Sequence, residues 1–133
     1  MIDIENEVFT EVKTKAIKEF AKLSMSGEEI RVPSSFPCAS LVEFDNYSYD
    51  NTVDSGSNEN HAVVSFELNV YSNKTSSKKT ECKKIFAFID ELLLGMGFQR
   101  TMKKPYTMDD ASVYRLVGRY KGIVSRDKEI YRR

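Results

Sequence analysis

His61 is the only histidine in this chain of 133 residues, so any Ser-His-Asp or Cys-His arrangement would have to be built on it. It opens a strand-like apolar run, and no serine or cysteine stands in a nucleophile context such as GxSxG. It reads as an ordinary strand-edge histidine. Asp109 and Asp110 are adjacent carboxylates, but adjacency alone more often caps a turn than shares a proton. Cys38 and Cys82 have no CxxC or Cys/His spacing around them and read as two buried, reduced thiols. No GxGxxG or GxxxxGKS/T motif occurs, and Gly95 and Gly97 follow a helical pattern where a phosphate cradle would precede one. The expectation is a protein that is not an enzyme, with no catalytic residues, cofactor or metal.

Charge is more informative than chemistry. Twenty basic and twenty acidic residues cancel, so no global field concentrates the chain on nucleic acid or anionic lipid. Residues 47–60 carry Asp50, Asp54 and Glu59 and no Lys or Arg. This arm looks superficially like a calcium loop, yet the alternating ligands and twelfth-position glutamate of an EF-hand are absent. Lys78, Lys79 and Lys83, with Lys74 and Lys84, crowd the start of a predicted helix, where positive charge opposes the helix dipole at a cost of tenths of a kcal/mol per charge. Arg100 can extend that patch. Two readings stand side by side: a solvated lysine face, or a surface for an acidic partner. Because arm and patch are opposite in sign, copies could meet head to tail, and such heterologous contacts close into rings. Nucleic-acid binding as the main activity is disfavoured, since the aromatic residues interleave with apolar positions and not with basic ones.

The elements that must position these residues follow from periodicity. In residues 4–23, Ile4, Val8, Val12, Ala16, Phe20 and Leu23 recur at steps of three and four, which predicts an amphipathic helix. Gly27 and Pro33 break the pattern. FPCASLVEFDN, residues 36–46, predicts a first strand opened by its proline. HAVVSFELNVYSNK gives a second, with Val64, Phe66, Leu68 and Val70 packing and the alternate residues mostly polar. A second helix is capped by Ser76 or Ser77, carries Cys82, Ile85, Phe86, Ile89, Leu92 and Leu93 on one stripe, and ends at Gly95 or Gly97. Residues 97–104 predict a third strand stopped by Pro105, and residues 112–124 a fourth. The resulting order, αββαββ, predicts an α+β fold of one domain, residues 1–133, with two helices on one face of a four-stranded, mainly antiparallel sheet. Residues 125–133 read as an exposed, mildly basic tail. The opposite sheet face, carrying Tyr71, Val113, Val117 and Val63 among charges, reads as a partner-binding face. Acidic residues stand where a secretory signal would be positive, and charges interrupt every apolar run, so the expectation is a cytosol-like compartment and no membrane contact.

FPCASLVEFDN, NHAVVSFELNVYSNK, KKTECKKIFAFIDELLLGMGFQRT and YRLVGRYKGIV, in this order, resemble the tail terminator family of tailed bacteriophages, also called tail completion or head-tail joining proteins. The resemblance implies an α/β fold and a homo-hexameric ring on the last ring of the tail tube. Such a ring ends tube polymerisation and presents a docking surface to the head-tail connector protein, and in a contractile tail it also anchors the sheath. It implies a place in the neck of the virion, after assembly in the host bacterial cytoplasm, with DNA passing through the lumen. Residues 47–60 then correspond to a long inter-strand loop, mobile when free and ordered when stacked on the tube, whose ordering cost a partner surface meets. On this reading Asp50, Asp54 and Glu59 are arm contacts, and Lys78, Lys79, Lys83 and Arg100 form the opposing patch. The alternative from another class is a stand-alone protein- or nucleic-acid-binding module.

Overall fold

A computed structural model describes residues 1–30, 33–48 and 61–130. The chain forms α1 (Glu5–Glu19), β1 (Ser24–Ser26), β2 (Cys38–Ser48), β3 (His61–Ser72), α2 (Lys78–Met96), β4 (Gln99–Tyr106) and β5 (Tyr114–Ser125). It is an α+β fold in which the strands make one five-stranded mixed sheet of order β1-β2-β3-β5-β4. The four long strands pair antiparallel. The expected four-stranded sheet is thus corrected by β1, which lies parallel to the start of β2 with Ser24 opposite Cys38. Three residues are too few to show an alternation, so β1 has no sequence signature of its own.

Helix α1 begins where the Asp3 carboxylate accepts the Glu5 backbone N–H at 3.1 Å, a negative charge at the positive end of the helix dipole. Its stripe of Val8, Val12 and Ala16 is buried. Helix α2 starts after Ser77, whose side chain makes no capping bond, and closes at Gly97 with φ 113°, a left-handed conformation that glycine adopts without a Cβ penalty. The two helices share one core with Leu41, Val64, Phe66, Leu68, Val70, Leu116 and Tyr120, which occupy alternate strand positions and therefore one sheet face. Phe86 and Phe98 reach this face only because β5 offers glycine beneath them. A Cβ on Gly118 would stand 2.5 Å from Phe86 Cζ, and one on Gly122 would stand 2.7 Å from Phe98 Cδ1.

Several boundaries differ from the periodicity. Strand β4 runs through Pro105 instead of stopping before it, because β4 is the sheet edge, where a missing N–H leaves no ladder bond unmade. Strand β2 extends through Tyr47 and Ser48, paired with Val63 and Ala62, so the first two positions assigned to the arm belong to the sheet. The rest of the arm, with Asp50, Asp54 and Glu59, lies outside the described residues. Strand β3 was expected to have one polar face, yet Val63, Ser65, Asn69 and Tyr71 on that side are buried as well. The reason is position: β3 is the central strand, and neighbours on both sides lean over it. After β5 the chain turns back, with the Ser125 N–H donating to Glu129 O at 2.8 Å. Residues 126–129 are exposed, while Ile130 bridges to Val124 and packs against the core.

Candidate functional site

The helices lie antiparallel, so the start of α1 meets the end of α2. Residues Glu7, Glu11, Glu91 and Glu129 rim a groove of about 740 Å³ at this end, over an apolar floor that includes Val8, Leu92 and Met96. Two cations enter it and both are engaged: Lys128 Nζ lies 2.7 Å from Glu7 and Lys15 Nζ 3.0 Å from Glu11. The hydrogen bond from Lys128 holds the Glu7 carboxyl below the usual carboxylate range, and the same bond raises Lys128. Glu91 and Glu129 have no cation partner among the described residues. At the other end, Lys22, Lys74 and Lys84 line a groove of about 390 Å³ with Phe20, Leu23 and Pro37. Its Glu81 accepts the Ser72 hydroxyl. The charge gradients of the helices run in opposite chain directions, and antiparallel packing therefore adds them: one end of the helix layer is acidic and the other basic.

Of the residues expected in the basic patch, Lys79 and Lys83 are exposed on the first turns of α2, and Lys78 donates to the Ala111 carbonyl at 2.7 Å. Arg100 does not join them. It sits on β4 and binds Asp90 through contacts of 2.9 Å to both carboxylate oxygens, about 18 Å along α2 from Lys78 at 1.5 Å per residue. The same carboxylate accepts the Tyr120 hydroxyl at 2.6 Å, and burial together with Asp90 pushes that phenol far above its ordinary value. Asp90 is thereby saturated by donors and fastens α2 to β4 and β5, a structural clamp that periodicity could not reveal because its members are far apart in sequence. His61 opens β3 opposite Ser125, half-buried, with no partner for Nδ1 among the described residues. Cys38 and Cys82 are free and buried, and burial pushes their thiols up to about 11 and about 12.

The sheet face away from the helices is the second candidate. Reading across the register, Tyr71 lies opposite Arg115 and Arg115 opposite Tyr106; two rows on, Glu67 lies opposite Arg119 and Arg119 opposite Met102. The Arg115 guanidinium stands 5.4 Å from the Tyr71 ring centroid and 5.1 Å from that of Tyr106, and its Nε donates to Asn69 at 2.8 Å. Lys104 Nζ is 4.9 Å from the Tyr106 ring. Arg119 stands 4.9 Å from the Phe44 ring while its Nε donates to Glu67 at 3.0 Å. Phe44, Tyr47 and Tyr106 are exposed to 48%, 46% and 43%, far more than core rings. Tyr71, Val63 and Val117 lie on this face as expected, although buried in it, whereas Val113 precedes β5. The expectation that aromatic residues avoid basic ones fails here too. Phe44 and Tyr106 come from edge positions of β2 and β4, and only strand pairing brings them beside the cations of β5.

No protein-family profile matches the chain, and no curated protein matches it either. Among the described residues no helix is long and apolar enough to cross a membrane.

Proposed function

We propose that this chain is a structural, non-enzymatic subunit that joins copies of itself head to tail into a ring at the head-proximal end of a bacteriophage tail tube. The ring, of six copies, ends tube polymerisation and offers its free surface to the head-tail connector protein, with DNA passing through the lumen. The observation that carries the assembly step is the polarity of the helix layer, which is acidic with an apolar floor at one end and basic with an apolar floor at the other. Concentrating like charges is unfavourable in a lone subunit, and opposed ends of two copies relieve it in both. Contacts between unlike patches are heterologous, and repeating one closes a ring when the rotation allows. The tail assignment rests on the resemblance of the four segments from FPCASLVEFDN to YRLVGRYKGIV to tail terminators. It also implies a place in the virion, with the tube protein and, in a contractile tail, the sheath as partners.

Mass measurement at low and high salt tests the assembly. Wild-type protein, alone or on isolated tail tubes, is expected to form a salt-sensitive ring. Glu91→Lys with Glu129→Lys makes both ends basic, and Lys22→Glu with Lys84→Glu makes both ends acidic. Each double variant should fail alone, and a mixture of the two should reassemble. Tails made without the protein should be of uncontrolled length or lack heads. A subunit that stays monomeric at high concentration and also ignores tail tubes would end the reading.

A further inference from the structure

The geometry points to the sheet face away from the helices as a binding site for single-stranded nucleic acid, a site that goes beyond the ring reading and uses none of its residues. Three features of that face converge. First, its exposed large apolar groups are rings: Phe44, Tyr47 and Tyr106 are each more than two-fifths exposed. An exposed aromatic face is a platform on which any base can stack. Phe44 on β2 and Tyr106 on β4 are separated by three strand spacings, roughly 14 Å across the sheet, and by about five register positions, roughly 17 Å along it, a diagonal that several nucleotides would span.

Second, the cations are interleaved with the rings. Arg115 lies between Tyr71 and Tyr106, Lys104 beside Tyr106, and Arg119 beside Phe44. Arg119 is compensated by Glu67, and Arg115 bonds the neutral amide of Asn69. Arg115, Lys104 and exposed Lys121 have no carboxylate partner among the described residues, three cations against the exposed carboxylates of Asp45 on the same face and of Glu29 near Tyr71. Uncompensated charge of this sign is complementary to phosphate, and the guanidinium planes can themselves stack on bases. Third, the floor of the face carries polar groups beside the buried Val63, Tyr71 and Val117. Ser40, Ser65 and Asn69 sit in it, and the Ser40 hydroxyl has no partner among the described residues. A protein interface keeps charge to its rim, whereas here Asn69, Glu67 and Arg119 stand in the middle beside the buried Val63 and Val117, and the exposed rings stand towards the sides. A base-and-phosphate ligand uses both the exposed rings and the charges of that arrangement. A duplex cannot use the rings, because its bases are already stacked.

Fluorescence anisotropy with labelled oligo(dT), oligo(U) and a duplex of equal length decides the matter. Single strands should bind and the duplex should bind at least tenfold more weakly, with the two homopolymers separating DNA from RNA preference. Phe44→Ala and Tyr106→Ala, at exposed positions, should each weaken single-strand binding by about tenfold, the worth of one stacked base. Lys104→Gln with Lys121→Gln should lower the salt slope by about 1.4, at about 0.7 for each single-strand phosphate that is no longer neutralised. Circular dichroism and urea midpoints confirm that each variant is folded. The charge-reversed helix-end variants should bind as wild type, which keeps this result separate from ring assembly. The inference is overturned if single strands do not bind at low salt, if both ring variants bind as well as wild type, or if those variants change only the mass of the free protein, which would make the face a contact between copies.

Discussion

The two faces of the sheet are built from the same strands and are held by different physics. The helix-covered face is a jigsaw of aliphatic and aromatic groups in which Phe66 meets Phe98 edge-on at 5.4 Å and glycines at 118 and 122 make room for rings. Its stability comes from area removed from water and from close packing. The far face reaches nearly complete burial at its centre too, with Tyr71 at 1% and Asn69 at 4%. There the cover is made by long charged side chains lying over rings and amides, with the Ile30 carbonyl accepting the Tyr71 hydroxyl at 3.3 Å. Burial alone therefore does not identify a core: one face is covered by two packed helices, the other largely by long side chains that can swing aside for a ligand.

That contrast can be broken from either side. Phe66→Ala removes a fully buried ring from the helix-covered face and should cost about 3–5 kcal/mol in urea unfolding. Gly118→Ala places a methyl group against Phe86, which is buried and cannot retreat, and should cost about 1–3 kcal/mol through overpacking. On the far face, the coupling between Arg119 and Glu67 in a double-mutant cycle should be below about 1 kcal/mol and fall with salt, because both side chains are partly exposed. A coupling as large as the core effects would erase the distinction between the faces.

The smallest effect lies at Glu43, where β2 bulges as it passes between the two environments. Burial, with the Glu5 carboxylate nearby, raises the Glu43 carboxyl above its ordinary value. The folded state then keeps the proton at pH values where the unfolded chain has lost it, so stability falls as pH rises from the ordinary value through the raised one. Glu43→Gln retains an acceptor for Asn46 and removes the charge. It should match wild type at about pH 3 and be slightly more stable at about pH 7, read from urea midpoints across that range. A variant less stable than wild type at neutral pH would mean that the carboxylate is a favourable group there.

Sequence by itself determined the elements whose patterns are long: the α1 stripe of Val8, Val12 and Ala16, the α2 stripe from Cys82 to Leu93, and the strict alternation of β3. It also determined the lysines that crowd the start of α2, since those follow from chain order alone. Tertiary structure decided what depends on partners distant in the chain. It added β1, whose three residues pair in parallel with β2, and it carried β4 through Pro105 because that strand is an edge. It took Arg100 out of the lysine patch by giving it Asp90, and it set Phe44 and Tyr106 beside Arg119 and Arg115. The physical reason is the same throughout. Periodicity reports which side of an element faces an apolar environment, whereas strand order and register determine which side chains become neighbours, and charge pairing and ring stacking act only between neighbours.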